Sequence, residues 1–444
     1  MKKLLSCVMC MLLMFSVVSA CNENEGGGYD RDAGLNPQAA SAFYDDFTDR
    51  DYSASLWYVG NSKWGPSYNH GVRPENVLWN DSGIVTIKSY GKYYSDPAKN
   101  YQGGVLLSKD TYGPGRYEVK MKIVPRFGAC TAFWTYMYGS APDLEGNELT
   151  DLNQEIDIEL NVGNDFHNAW FTNWVTVDDS SHVEKKTEFF NSDGDWHVYT
   201  FEWHTDPMRV DYYIDDVHMY TSYSNVPYVA GAINIGNWFP DSWAGDADFE
   251  EDYMQIDYIS YTPYENQPCT LPYEGQSSGA AFPAASTPLP ETANMFANAG
   301  FEHTYTVAGS KTAVWNSYKD AVITDNAGRS GKGMVIEEQA VASQRVSGAL
   351  EGEEYTVTAW IKLDGASAKG KVQAYFLKNS EEYIGNAVSA EISSASEGYA
   401  DGQFFQIKFT FTAPAETRRV EITFETESGT MTLDDAFINL SSKL

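Results

Sequence analysis

The chain has 444 residues and a formal net charge of -32 at pH 7, from 62 acidic and 30 basic side chains. This length predicts two or three domains. The charge argues against nucleic acid and anionic membrane surfaces as partners, because both are bound through clustered Lys and Arg. We therefore expect a neutral or cationic partner. Aromatic residues make up 14% of the chain; flat rings in a groove can hold sugar faces, although a large β-rich core also uses many rings.

The N-terminus predicts export. Met1-Lys-Lys precedes an apolar run from Leu4 to Val18, which is shorter than the about 20 residues that a membrane span needs. The following Val18-Ser-Ala-Cys21 segment resembles a bacterial lipoprotein signal. That resemblance implies a signal peptide over residues 1–20, a lipid on Cys21, and a flexible tether over residues 21–40. We expect a lipid-anchored protein of the outer membrane. The acidic residues after Cys21 favour exposure at the cell surface.

Five cysteines predict no disulfide framework, since Cys7 and Cys10 leave with the signal and Cys21 would carry lipid. Cys130 lies in an apolar run and is interpreted as a small core residue. Pairing of Cys130 with Cys269 stays open from the sequence.

The rest of the chain predicts an all-β protein with two β-sandwich domains. Residues 41–264 form a strand-rich first domain, in which residues 116–124 alternate apolar and charged side chains and residues 210–220 indicate a hairpin that turns at Asp215-Asp216. Residues 265–293, rich in Pro, Ser and Ala, are predicted to be a linker. Residues 294–444 alternate again and are long enough for a smaller β-sandwich with its own core.

Three carboxylates lie at alternate positions in Glu155-Ile-Asp-Ile-Glu159. Alternate residues of a strand point the same way, so this segment predicts Glu155, Asp157 and Glu159 on one face and isoleucines on the other. Two carboxylates flanking a glycosidic bond can hydrolyse it, one as nucleophile and one as acid. The alternative is an edge strand whose charges deter aggregation. The glycosidase interpretation requires a concave strand, because four residues span about 13 Å and a retaining pair needs carboxyl groups about 5 to 5.5 Å apart.

The surrounding segments resemble glycoside hydrolase family 16, and most closely its bacterial lichenase branch. The likeness covers roughly Phe43 to Tyr264. Its segments, in chain order, are Thr111-Tyr-Gly-Pro-Gly-Arg-Tyr-Glu-Val-Lys-Met-Lys122, Ala132-Phe-Trp-Thr-Tyr136, Gln154-Glu-Ile-Asp-Ile-Glu-Leu160, His197-Val-Tyr-Thr-Phe-Glu-Trp203, Tyr213-Ile-Asp-Asp216, Asn234-Ile-Gly-Asn-Trp238, Trp243-Ala-Gly245 and Ile256-Asp-Tyr-Ile-Ser-Tyr261.

The resemblance implies a jelly roll of two curved sheets with a substrate cleft on the concave face. It also implies that Glu155 is the nucleophile, Asp157 its assisting carboxylate and Glu159 the general acid/base. The implied reaction is retaining, endo-acting cleavage of a β-linked glucan, with no cofactor for catalysis. The acidic strand has no extra residue, as in lichenases and plant xyloglucan enzymes and unlike most laminarinases and agarases.

Aligned aromatic and amide residues are predicted to bind substrate in this cleft. They are Trp134, Tyr136, Asn173, Trp174, Trp238 and Trp243. Packing in the core is the alternative for each of them.

Other positions give different expectations. We expect Trp203 to pack inside, and His167 and His182 to lie in surface loops.

Two segments differ from the family. Gln154 stands where the family usually has Asp, and the acidic and arginine residues with which lichenases bind distal sugars are replaced by Gly104-Val-Leu-Leu-Ser108. Mixed-linkage glucan is therefore a leading hypothesis beside 1,3-glucan. Transglycosylation, another β-glycan such as xyloglucan, galactan or a host glycan, and non-catalytic glycan binding stay as alternatives.

The C-terminal domain resembles carbohydrate-binding modules of the family 4, 9 and 22 type, through Asn298-Ala-Gly-Phe-Glu302, Tyr355-Thr-Val-Thr-Ala-Trp-Ile361 and Thr432-Leu-Asp-Asp-Ala-Phe437. Such modules often hold a structural calcium ion, for which Glu302 and Asp435 are candidate oxygen ligands. The alternative is that these acids only terminate strands. Trp315 and Tyr318 are candidates for a sugar platform, with packing of one of them in the core as the equal alternative. We expect a monomer.

Overall fold

The computed structural model describes residues 41–163, 168–186, 196–273, 279–287, 289, 294–302, 315–347, 349–378 and 382–443. The predicted signal, the Cys21 lipidation site, the tether and His167 lie outside these residues. In the part of the chain that is described, no helix has the length and apolar character that a membrane crossing requires.

The described residues form two compact units. The first unit takes residues from 41–89, 101–246 and 253–289, and the second takes residues from 90–100, 247–252 and 294–443.

The larger sheet contains sixteen strands among the described residues. They are β1 (Phe43–Asp45), β2 (Trp57–Val59), β3 (Gly71–Val72), β4 (Val77–Trp79), β5 (Val85–Tyr90), β6 (Gln102–Tyr112), β7 (Gly115–Lys122), β8 (Cys130–Pro142), β9 (Glu148–Leu160), β10 (Asn168–Thr176), β11 (Ser180–Lys186), β12 (His197–Thr205), β13 (Met208–Ile214), β14 (Val217–Ser222), β15 (Gly231–Trp238) and β16 (Glu251–Pro263). One short helix, α1 (Arg50–Leu56), begins after Asp49, whose side chain accepts hydrogen bonds from the backbone N–H groups of Asp51 and Tyr52.

This sheet folds into two facing layers. The strand order is β11-β10-β9-β8-β15-β6 in one layer and β5-β16-β7-β12-β13-β14 in the other. Aromatic side chains fill the space between them: Phe171 of β10 stacks on Tyr212 of β13 at 4.5 Å between ring centroids, and Phe133 of β8 lies 5.3 Å from Phe201 of β12. Such rings bury large apolar areas and lock the layers together.

The alternation seen in the sequence accounts for the strands. β7 buries every second residue. Asp215 and Asp216 both adopt positive φ angles, 50° and 60°, between β13 and β14, which is the geometry that a two-residue hairpin turn needs. Trp203 is buried, as expected, and its indole N–H donates to the Pro227 carbonyl at 2.8 Å.

The described part of the predicted linker packs against the first unit instead of spanning open space. Ala280 exchanges two backbone hydrogen bonds with Val59, of 2.7 and 2.9 Å. Phe282 is buried and stacks on Phe47 at 6.3 Å between centroids. Apolar residues among the prolines therefore extend the core of the first unit.

The second unit is also built from strands. They are β17 (Asn316–Tyr318), β18 (Ala321–Thr324), β19 (Gly333–Ile336), β20 (Val341–Ser347), β21 (Glu354–Leu377), β22 (Tyr383–Ile392), β23 (Phe404–Thr412) and β24 (Arg419–Leu440). The long strand β21 pairs with β22, β23 and β24. The predicted all-β class, with a jelly-roll sandwich and a second β domain, is confirmed.

Trp315 belongs to the core of the second unit. It is 1% exposed and lies 5.0 Å from Phe296 and 5.1 Å from Phe301 between ring centroids. Its predicted role in a sugar platform is therefore wrong, because its ring is covered. Tyr318, the other candidate, is 65% exposed.

Candidate active site

The acidic strand β9 lies inside its sheet, paired with β8 on one side and β10 on the other. The edge-strand interpretation of its charges is therefore excluded. Ile156 and Ile158 are fully buried between the two layers. The strand ends where Asn161 adopts a φ of 57°, and the Asn161 amide donates to the Val124 carbonyl at 2.6 Å. Packing below and pairing on both sides thus fix the carboxylates on the opposite face.

The register places a side chain from each neighbouring strand beside every carboxylate. Directly opposite residues on paired strands point to the same face. The β8 and β10 partners are Tyr136 and Trp174 for Glu155, Trp134 and Thr172 for Asp157, and Ala132 and Trp170 for Glu159. The register with β8 shows no shift from Leu152 to Leu160, as the absence of an extra residue predicts. We call this set, with the three carboxylates, the acidic face.

Three further tryptophans line the acidic face. Trp238 and Trp243 pack against its cluster of buried residues, as does Trp64 from the loop after β2. Trp170 stacks on Trp243 with 5.3 Å between centroids and 17° between planes. Trp64 lies 6.0 Å from Trp134. The carboxylates therefore lie among indole rings that displace water from around them.

This environment raises all three acid pKa values. Burial, and then the charges of both neighbouring glutamates, hold the pKa of Asp157 well above its usual range. Burial raises the pKa of Glu155 to about 7 and, together with the Glu155 charge, the pKa of Glu159 to about 8. The effect of Glu155 on Glu159 requires the two groups to be near each other.

Hydrogen bonds differentiate the carboxylates. Protonated Asp157 donates to Glu155 and favours its ionised form, and the Asn153 amide approaches Glu155 Oε2 at 3.4 Å. Glu159 instead accepts from the Cys130 thiol, with Sγ 3.8 Å from Oε1. The arrangement suits an ionised Glu155 beside a protonated Glu159, the division of roles that double displacement needs.

The pH dependence of kcat/KM should follow these two pKa values. We expect a bell whose acid limb reflects ionisation of Glu155, about 7, and whose alkaline limb reflects loss of the Glu159 proton, about 8. Because the acids interact, the apparent pKa values belong to the group of three. Initial rates from pH 5 to 10 measure the profile. A flat rate from pH 5 to 7 would contradict an essential ionised group with a raised pKa.

Cys130 is predicted to lower the pKa of Glu159. Its own pKa is held well above the usual range by burial and then by the Glu159 charge, so it stays a neutral thiol donor. Cys130→Ala removes that donor and should move the alkaline limb of kcat/KM upward, and only slightly, because a thiol is a weak donor. Cys130→Ser should keep the limb in place. Cys269→Ala is the matched control, since Cys269 is also a buried free thiol. A downward shift would show that Cys130 does not stabilise the ionised acid.

The structure places five of the six predicted substrate-binding residues at the acidic face. Trp134, Tyr136 and Trp174 belong to it by register, and Trp238 and Trp243 pack on it.

Asn173 does not reach the acidic face. It pairs with Ile156 on β9, so it points between the two layers, where it is 1% exposed. Its amide oxygen accepts a hydrogen bond from the Tyr212 hydroxyl. Asn173 is therefore an interior residue that links β10 to β13, and its predicted place in the cleft is corrected.

Sequence reasoning missed Trp64, Trp170, Thr172 and His182. Alternation within Trp170-Phe-Thr-Asn-Trp174 indicates that Trp170 and Thr172 share a face with Trp174, a signal that could have found them. His182 lies on β11, opposite Thr172, rather than in a loop. For Trp64 we find no local signal, because it reaches the site from a loop.

Gln154 connects the acidic strand to two other segments. It is buried, donates to the Val175 carbonyl at 2.9 Å, and accepts from the backbone N–H groups of Tyr228 at 2.7 Å and Val229 at 3.2 Å. An acidic residue at this position could not donate to a carbonyl when ionised. Gln154 is thus suited to the partners that this chain offers.

Gln154→Ala should destabilise the first unit by about 2–4 kcal/mol, because it leaves three backbone groups without their side-chain partner. Denaturant unfolding followed by tryptophan fluorescence measures the change. Gln255→Ala, at a half-buried position on β16, is the control and should cost less than about 1 kcal/mol. Equal midpoints for the two variants would show that the Gln154 hydrogen bonds contribute little.

The residues predicted to hold calcium each have one carboxylate oxygen paired within the protein. Asp435 Oδ2 pairs with Arg329 Nη1 at 2.7 Å, so a guanidinium already neutralises it. Glu302 accepts the backbone N–H of Lys332 at 2.9 Å. Calcium at Glu302 and Asp435 stays a prediction.

One group of potential metal ligands occurs elsewhere among the described residues, formed by Glu202, His204 and Asp211. Arg116 pairs with Glu202 at 2.9 Å and Arg209 with Asp211 at 2.7 Å. These cations satisfy the carboxylates, so the group is a charge network on the layer away from the acidic face.

Comparisons with known proteins agree with this geometry. Residues 73–260 match the family model of Glycosyl hydrolases family 16. The chain is 30% identical over 219 residues to a β-glucanase of Acetivibrio thermocellus, a match that covers 48% of this chain and 60% of that protein. It is 29% identical over 220 residues to a β-glucanase of Paenibacillus polymyxa, covering 47% and 85%. The chain thus spans less than two thirds of the first of these relatives.

A solved structure of Bacillus licheniformis β-glucanase is also similar. It covers 51% of this chain and 100% of that chain, with a TM-score of 0.43 and 24% identity. Residues 73–260, which include the acidic face, are thus similar to glycosyl hydrolases of family 16.

Proposed function

We propose that the first unit is the catalytic domain of a retaining, endo-acting glycoside hydrolase that cleaves a β-glucan. The main observation behind this proposal is the acidic face. Its three carboxyl groups, of Glu155, Asp157 and Glu159, lie on one inner strand among tryptophan side chains, and their pKa values are raised. The β-glucanases to which the chain is similar support the substrate class.

The proposed reaction is a double displacement. Ionised Glu155 attacks the anomeric carbon while protonated Glu159 gives its proton to the departing glycosidic oxygen, so that the bond to the leaving sugar breaks as the bond to Glu155 forms. Glu159, now ionised, then takes a proton from water, whose oxygen displaces Glu155. Asp157 holds Glu155 through the hydrogen bond between them. These steps require side chains alone.

The tryptophans at the acidic face would hold the glucan. Indole rings offer apolar faces to sugar C–H groups, and the net charge of -32 favours a neutral polymer over an acidic one. Mixed-linkage 1,3-1,4-glucan and 1,3-glucan are the proposed substrates.

Incubation with mixed-linkage glucan, laminarin, xyloglucan and a galactan, followed by product sizing, tests the proposal. We expect oligosaccharides of several lengths from a β-glucan, and NMR of fresh products should show the β-anomer first. In a parallel incubation with an oligosaccharide of one length, products longer than that oligosaccharide would indicate transglycosylation. Glycan binding without any cleavage would reject the proposed hydrolase and favour a non-catalytic glycan-binding protein.

We also propose that the protein acts as a lipid-anchored monomer at the outer membrane, with the second unit binding glycan. Val18-Ser-Ala-Cys21 supports the anchor, and tethering a binding module to an enzyme raises the local substrate concentration. Labelling with a radioactive fatty acid tests the anchor, since Cys21→Ser should lose the label.

A further inference from the structure

Strand β11 extends the acidic face beyond the residues assigned to catalysis. His182 pairs with Thr172, which pairs with Asp157; Glu184 pairs with Trp170, which pairs with Glu159. Because directly paired residues share a face, His182 and Glu184 point to the same side as the catalytic carboxylates. Two strand spacings, about 10 Å, separate them from β9, which is within reach of the same sugar chain.

Each of the two side chains has one atom held and another directed at its neighbour. His182 Nδ1 lies 2.9 Å from Thr172 Oγ1, and Glu184 Oε2 accepts from the Asn168 amide at 3.1 Å. The other two atoms, His182 Nε2 and Glu184 Oε1, are 3.9 Å apart. That distance is too long for a direct hydrogen bond. It leaves room for one oxygen atom to contact both.

The chemistry of this gap selects a hydroxyl group. Burial lowers the pKa of His182, which favours the neutral ring. With the Thr172 hydroxyl donating to Nδ1, the one ring N–H is on Nε2, at the gap. Glu184 can only accept when ionised. A group that fits between them must accept one hydrogen bond and donate another, which a sugar hydroxyl does. A sulfate ester, a carboxylate or an O-methyl group cannot donate, and the first two are repelled by Glu184.

Trp170 marks the same place as part of a binding site. Its ring lies edge-on to His182 at 4.7 Å and 82°, and it stacks on Trp243. Its indole Nε1 is buried with no hydrogen-bond partner among the described residues. Buried donors are normally paired, so this N–H is a second polar group beside the gap, and a ligand reaches it only where the covering side chains shift.

Building on the proposed function, we propose that His182 and Glu184 clamp one free hydroxyl of the sugar bound beside Glu159 and so select a neutral polysaccharide that is unsubstituted at that position. The clamp makes β11 a specificity-determining element. Substituted or acidic β-glycans would lose this contact and meet repulsion.

Kinetics with the wild type and with His182→Ala, His182→Asn and Glu184→Gln test the clamp on the glucan that the wild type cleaves best. We expect kcat/KM to fall at least tenfold in His182→Ala and in Glu184→Gln, with Tm unchanged. His182→Asn should recover part of the loss because it restores a donor. If both residues hold one hydroxyl, the double variant should be little worse than either single variant.

His218→Ala is the matched control, because His218 is an exposed strand histidine on β14 of the other layer. It should leave kcat/KM unchanged. An active wild type whose His182→Ala and Glu184→Gln variants stay within twofold of it would overturn the clamp while leaving the proposed function intact.

Affinity electrophoresis through gels containing each glycan separates the two proposals when catalysis is absent. Retardation that is lost in His182→Ala would support the clamp even if no polysaccharide is cleaved. An O-methylated glucan that is bound and cleaved as well as its parent would contradict it. A protein that neither binds nor cleaves any glycan would reject both proposals.

Discussion

Glu155→Gln is expected to lower kcat on the preferred β-glucan by at least about 10⁴-fold, the scale seen when an enzyme loses a covalent nucleophile. An amide has nearly the same shape as the carboxyl group, so the hydrogen bond from Asp157 can persist. It cannot form the glycosyl ester, because it carries no charge with which to attack. Assays with high enzyme concentration and reducing-end detection measure the residual rate.

The same substitution should stabilise the fold at neutral and alkaline pH. The pKa of Glu155 is about 7 in the folded protein and about 4.3 when unfolded. Between these values the folded state binds more protons, so stability falls as pH rises through this window and is restored when the acid cannot ionise. We expect Glu155→Gln to have a higher Tm than the wild type at pH 8 and a similar Tm at pH 4.

These two readouts separate a catalytic role from a structural one. Lost activity with a raised Tm at pH 8 is the expected result. Lost activity with a lowered Tm would instead indicate that the variant is misfolded. Retained activity would show that Glu155 is not the nucleophile.

Glu159→Gln is expected to lower kcat on a β-glucan by about 10²–10⁴-fold, the usual contribution of a general acid. The loss should be small for aryl glycosides with good leaving groups, because those groups depart without a proton. The alkaline limb of the pH profile should disappear, since it reflects the Glu159 proton. Parallel kinetics on the glucan and on a dinitrophenyl oligoglucoside measure the difference.

Azide gives a further test of Glu159. Once the aryl group has left, water attacks the glycosyl–Glu155 ester slowly without a base, whereas azide attacks it without deprotonation. Added azide should therefore raise the rate of Glu159→Gln and give a β-glycosyl azide, and it should not rescue Glu155→Gln. An α-glycosyl azide would contradict the assignment, because it would mean that Glu155 forms no covalent intermediate.

Alternation predicted the strands and the shared face of the acids, because the period of two is a local property of the sequence. The positions of Asn173 and His182 depend instead on which strands pair and in which register. Asn173 follows Thr172, and the pairing of β10 with β9 decides which of these neighbours belongs to the acidic face. His182 reaches the site only because β11 joins β10, a contact between segments that no local pattern records.

The outcome for residues 265–293 has a similar origin. Proline and serine predicted a spacer, yet Phe282 lies in the core beside Phe47. One apolar ring in a polar segment does not by itself predict that the segment packs on a core. The packing depends on a complementary surface of the first unit, which the sequence does not display. The close spacing of like charges made raised pKa values of Asp157 and Glu159 foreseeable in part. Burial, the largest cause for all three acids, was not foreseeable from the sequence.

Five consecutive residues of strand β9, Glu155 to Glu159, contribute both to the hydrophobic core and to the acidic face. Ile156 and Ile158 are buried below while the acids face the site, and both edges of the strand are paired. The amides of this segment can therefore open to solvent only when the sandwich itself opens. We therefore expect hydrogen exchange of the β9 amides to report opening of the sandwich itself and not a local loosening of the acidic strand.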